Sequence, residues 1–152
     1  MLYLLLLFGG ITTDGVVPYA TSLRYVKVSR EPAIVLLHQY DRTTLRKRGE
    51  EIRKKLNRQG IKIVLSELNI KTNRKLWQDT RQPSVPCLMV LRYDEKRKEI
   101  VVDYKKYIPV KLDITPIELM EWINTGKVNK QYQVKFGLCP KAAGISTSIP
   151  VR

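Results

Sequence analysis

His38 is the only histidine in the chain, and Cys87 and Cys139 are its only cysteines. Nucleophilic catalysis needs a base beside its nucleophile. One imidazole and two widely separated thiols supply neither that set, nor a Cys-x-x-Cys redox pair, nor the spacing of a metal site. Gly9-Gly10 continues into neither a Gly-Lys-Ser/Thr phosphate loop nor a Gly-x-Gly-x-x-Gly run. The expectation is therefore a non-catalytic protein that needs no metal or cofactor. His38 stands at the carboxyl end of an apolar run, where α/β proteins place ligand sites, although a lone histidine there is more often structural. Cys87 lies inside an apolar run and reads as a buried, reduced thiol. A reducing, intracellular compartment follows, with cytoplasm, nucleus and mitochondrion left open.

The abundant chemistry is cationic. The 152 residues hold 28 Lys and Arg against 14 Asp and Glu, a formal charge of +14, and the isoelectric point is near 9.9. A hydrophobic share of 43% is that of a globular chain, so the excess charge belongs to a folded surface. An acidic partner is implied, nucleic acid first and an anionic membrane second. Eight cations gather around one helical segment: Arg42, Arg46, Lys47, Arg48, Arg53, Lys54, Lys55 and Arg58, opposed by Glu50 and Glu51. Helical spacing puts Arg46 and Arg53 on one face and Lys47, Lys54 and Arg58 on an adjacent one. Arg74, Lys75 and Arg81 extend the excess along the next helix. A solvated, salt-bridged face is the plainer alternative, but residues 127–152 add five basic residues and no acid. Phosphate binding is therefore expected at Arg46, Lys47, Arg53, Lys54, Arg58, Arg74, Lys75 and Arg81. Tyr93, Tyr104 and Tyr107 are candidates for stacking on bases, with packing as their alternative role.

The elements that must carry these groups are read from periodicity and punctuation. Leu2–Phe8 is too short to span a bilayer and reads first as a buried first strand, second as a processed leader. Gly9-Gly10 and Asp14-Gly15 mark turns, so residues 1–31 form a lead-in or hairpin. Ala33–Leu37 is a strand covered on both faces. Asp41-Arg42-Thr43 starts a helix from about Thr44 to Asn57 whose narrow apolar stripe is Leu45, Ile52 and Leu56, with Gly49 among them. Gly60 ends it. Ile61–Ser66 is a second strand, Asn69–Arg81 a weaker helix anchored by Leu76 and Trp77, and Val85–Leu91 a third strand. Glu99–Tyr107 pairs back as a fourth. Thr115-Pro116-Ile117-Glu118 opens a last helix with a capping box and ends before Gly126. The result is an α/β fold in β-α-β-α-β-β-α order, with a mixed four- to five-stranded sheet flanked by helices. The first three strands are expected to be parallel. The domain covers residues 32–126, and residues 127–152 form a basic extension.

The stretch Leu56-Asn57-Arg58-Gln59-Gly60-Ile61-Lys62-Ile63, and Val85-Pro86 opening Cys87–Leu91 with Glu95 beyond, resemble the anticodon-binding domain of class II aminoacyl-tRNA synthetases, threonyl and prolyl type. Arg92 replaces that family's glycine, and Asp103 stands where a basic residue is common. Val85-Pro86 before an apolar strand also looks like the cis-proline strand of thioredoxin-like proteins, with Tyr40-Asp41-Arg42-Thr43 where their Cys pair would be. The first resemblance implies an RNA-binding or ribonucleoprotein module, with tRNA or rRNA as partner, alongside other protein subunits. The second implies a non-redox structural subunit of a large assembly such as a ribosome.

Overall fold

The computed structural model describes residues 15–137. They run β1 (Val17–Pro18), α1 (Tyr19–Ser29), β2 (Ala33–His38), α2 (Arg42–Arg58), β3 (Leu65–Asn69), α3 (Arg74–Asp79), β4 (Cys87–Asp94), β5 (Glu99–Val102), β6 (Ile108–Pro109) and α4 (Pro116–Thr125). Single 3-10 turns lie at Tyr104–Lys106 and Lys130–Tyr132. The described strands form one mixed, open, six-stranded sheet in the order β1-β3-β2-β4-β5, with β6 also on β4. The α/β class and the mixed sheet are as expected.

Every residue of β2 is buried. Because side chains alternate across a strand, Ile34 and Leu36 enter one core with Ile52 and Leu56 of α2 and Leu119, Trp122 and Ile123 of α4. Ala33, Val35 and Leu37 enter a second core with Tyr25 and Val26 of α1. Two covered faces explain why this strand reads as an unbroken apolar run.

The expected parallel arrangement holds for β2 and β3, in register Val35↔Ser66, but not for β4. That strand is antiparallel to β2, Val35 opposite Met89. The reason is the length of α3. Its six residues rise about 9 Å, short of the roughly 17 Å that the five residues of β3 span. Trp77 Nε1 donates to Pro83 O at 3.2 Å, and Arg81 and Gln82 both take positive φ. The chain is thus reversed at the end of the sheet where β3 stops, and β4 enters there, after a cis Val85-Pro86 bond. Leu76, expected as an anchor, is 40% exposed.

Other boundaries move as well. The fold does not begin at Pro32: β1 and α1 belong to it, with Ser22, Tyr25 and Val26 buried. One of those three is a serine, which breaks the apolar periodicity; Ser66 Oγ donates to Ser22 Oγ at 2.8 Å, so α1 meets β3 through a polar contact. Strand β3 starts at Leu65 rather than Ile61. Nor does the fold stop at Gly126. Val134 is buried, Ser84 N donates to Lys135 O at 2.9 Å, and Phe136 bridges to Pro83. Glu99–Tyr107 divides into β5, a 3-10 turn and the approach to β6.

The helix ends follow their caps. Asp41 Oδ1 accepts from Thr44 N at 2.7 Å, which opens α2 two residues earlier than expected. In α4 the reciprocal Thr115–Glu118 box is present, with Gly126 at φ +80° closing the helix. Arg92, the residue in the glycine position of the first resemblance, donates to Trp122 O at 2.6 Å and Asn124 O at 2.8 Å. It thereby supplies a donor to Asn124 O in the last turn of α4, where carbonyls lack intrahelical partners, and a second donor to Trp122 O, which also accepts from Gly126 N at 2.8 Å. Leu2–Phe8 and Cys139 lie outside the described residues.

Candidate nucleic-acid interface

Helix α2 is an apolar stripe with cations on its remaining surface. Gly49, Ile52, Arg53 and Leu56 are its buried positions. Lys47, Lys54 and Arg58 stand on the opposite side, all exposed, as is Arg46 on a flank. None of these four has an ion-pair partner among the described residues, whereas Arg48 pairs with Glu51 at 3.0 Å. Arg58 occupies the last turn, where a cation also complements the helix dipole.

Arg53 is corrected. It is 2% exposed, with Nη1 donating to Ile63 O, Nη2 to Ile61 O at 2.9 Å and Nε to Asn57 Oδ1 at 3.2 Å. Its guanidinium satisfies carbonyls of the α2–β3 connection, which keeps those residues out of the sheet. It has no surface with which to meet a phosphate. Helical spacing placed Arg53 near Arg46, and tertiary packing then covered one and left the other open.

The other candidates lie elsewhere. Arg74 and Lys75 are exposed on α3. Arg81, in a left-handed conformation, lies 4.9 Å from the centre of the Tyr104 ring. The tyrosines are largely engaged: Tyr107 is 1% exposed and packs on Phe136, while the Arg30 guanidinium sits 3.5 Å over Tyr93.

The carboxyl end of β2 is better developed than the sequence suggests. His38 is 1% exposed. Its Nδ1 accepts from Tyr40 N at 2.9 Å, so the ring proton is on Nε2, which donates to Glu67 Oε1 at 2.8 Å. The Tyr40 ring stacks on the imidazole, centroids 5.3 Å apart. Two grooves open on either side of this end. One, about 470 Å³, is bounded by Tyr40, Arg48, Lys55, Pro86 and Lys111. The other, about 310 Å³, is bounded by Gln39, Lys71, Arg74, Trp77 and Val85. Lys71 and Lys111 lie outside the helices and strands, so their positions carry no periodic signal in the sequence.

Cys87 is fully buried, and burial pushes its thiol well above the ordinary range, so it stays protonated and a poor nucleophile. Among the described residues no group of three or more His, Cys, Asp or Glu could hold a metal ion, and no helix is long and apolar enough to cross a membrane. Compared with known proteins, the chain matches no protein-family model and no curated protein.

Proposed function

We propose that this protein is a non-catalytic RNA-binding module, of tRNA or rRNA in the first instance, acting within a ribonucleoprotein. The observation that carries this reading is the solvent side of α2: Lys47, Lys54 and Arg58 on its outer face and Arg46 on a flank are exposed and without ion-pair partners among the described residues. A rigid helix presents these charges with little freedom left to lose on binding. Phosphate contact of this kind is insensitive to sequence and sensitive to salt.

The second resemblance is the setting we infer for this surface. Val85-Pro86 opens β4, which lies beside β2, and the position of the Cys pair holds Tyr40-Asp41-Arg42-Thr43. A non-redox subunit of a large assembly accommodates both observations.

The purified chain should show an elevated 260/280 nm absorbance ratio that falls after a high-salt wash. RNA affinity should decline linearly on a log–log salt plot. Charge reversal at Lys47, Lys54 and Arg58 should flatten that slope by about 2, at roughly 0.7 per phosphate contact on a single strand. A flat salt response in the unmodified protein removes RNA binding. An unchanged slope in the triple variant moves the contact off α2.

A further inference from the structure

The groove between α2 and the segment Ile108–Leu112 has two unlike halves. Its floor is apolar, with Ile52, Val110 and Leu112, and its rim carries Arg48, Lys55 and Lys111. Arg48 and Lys55 share one side of α2 by their seven-residue spacing. Three cations face one lining carboxylate, Glu51, which is held by Arg48 at 3.0 Å. Beside them the Tyr40 ring is fixed from behind. It stacks on His38, and its own N–H is bonded to the same imidazole. An aromatic platform held in this way stays in place without further ordering.

We propose that this groove receives one unpaired nucleotide of the bound RNA, its base against Tyr40 and the apolar floor, its flanking phosphates on Arg48, Lys55 and Lys111. The assignment rests on the RNA reading above and deepens it, since the outer cations of α2 track a backbone without regard to pairing. A base inside a duplex is already stacked on both faces and cannot enter. A purely apolar peptide would fill the floor and leave Lys55 and Lys111 facing no anion. Aromatic platforms beside cationic tracks are the general means by which proteins hold single strands.

The test uses the full chain and two probes at one fixed salt concentration: a single-stranded RNA hexamer carrying 2-aminopurine, and the same sequence as a blunt duplex. The hexamer should bind more tightly than the duplex, with its fluorescence quenched on binding. Tyr40→Leu, which keeps apolar bulk and removes the aromatic face, should abolish the quench and weaken hexamer binding about tenfold. Duplex affinity should be unchanged. Lys111→Glu, at an exposed position, should weaken the hexamer more than the duplex and serves as the second variant if Tyr40→Leu melts early. Equal binding of both probes, with neither variant discriminating between them, overturns the groove assignment while RNA binding stands. Failure of both probes to bind removes the RNA reading and the groove assignment with it. Binding of an acidic peptide that Tyr40→Leu abolishes, with hexamer affinity unaffected, assigns the groove to a protein partner instead and overturns the proposal.

Discussion

Residue identity and residue role separate most clearly at Arg53. Lys54 and Lys55, which follow it, face solvent, yet its own donors are taken by Ile61 O, Ile63 O and Asn57 Oδ1. Arg53→Ala would leave two buried carbonyls without a donor and a void beside them. A loss of about 3 kcal/mol is expected, at the usual cost of stranding buried polar groups. Urea denaturation measures it. The RNA affinity of the folded fraction should not change, which distinguishes Arg53 from Lys54, one position along. Cys87 makes the same point about a thiol: burial sets its chemistry, and nothing in the residue type alone does.

At the scale of elements, α2 is positioned by its two ends and by one missing side chain. Asp41 caps the first turn, and the Thr44 backbone N–H bonded to its carboxylate holds its pKa below the ordinary value of 3.8. A carboxylate whose pKa is lowered by folding contributes stability that is present above its unfolded pKa and lost as the pH falls through its folded one. Asp41→Ala should therefore lower the melting midpoint at pH 7, and the gap from the unmodified protein should begin to narrow only as the pH falls below 3.8 and close once it is beneath the lowered folded value. A gap that persists there would assign the cap's value to something other than charge. Gly49 is the missing side chain. A Cβ at that position would collide with Val16 Cγ2, so the segment leading into β1 lies directly on the helix. Gly49→Ala raises helix propensity by about 1 kcal/mol, but overpacking of this kind costs about 1–3 kcal/mol. Net destabilisation is expected, with recovery in the Val16→Ala/Gly49→Ala double variant. If Gly49→Ala stabilises the protein alone, Val16 moves freely and the contact is not a constraint.

The whole molecule is closed by residues that a composition profile assigns to a tail. Val134 N donates to Tyr107 O at 3.3 Å, and Lys135 O accepts from Ser84 N. Phe136 covers the buried Tyr107 ring. A chain ending at Gly126 loses these contacts and uncovers part of the second core. It should unfold at least 2 kcal/mol more easily, on the scale of exposing one or two large apolar side chains. A chain ending at Gly137 keeps every contact just named. Comparing the two by denaturant titration locates the functional boundary of the fold. Equal stability would show that residues 127–137 rest on the surface without supporting it. RNA affinity compared between the full chain and the chain ending at Gly137, at one salt concentration, then isolates the charge of Lys141 and Arg152 from the contacts that close the fold.

Features set by local chemistry are legible in the sequence alone. The Thr115-x-x-Glu118 box with Pro116 and Gly126 dictates α4 at both ends, because each cap is satisfied within a few residues of itself. The unbroken run Ala33–Leu37 dictates a strand covered on two faces, and the excess of 14 positive charges dictates a cationic surface. Features set by what comes into contact across the fold were not. Whether β4 runs with β2 or against it depends on how far a six-residue helix can carry the chain back across the sheet. Whether Arg53 meets solvent or two carbonyls depends on where the α2–β3 connection passes. The part played by Lys111 in a groove with Arg48 and Lys55 depends on three segments converging at one end of β2. Local sequence specifies caps, periodicity and charge; burial and convergence are properties of pairs distant along the chain, and only the tertiary structure supplies them.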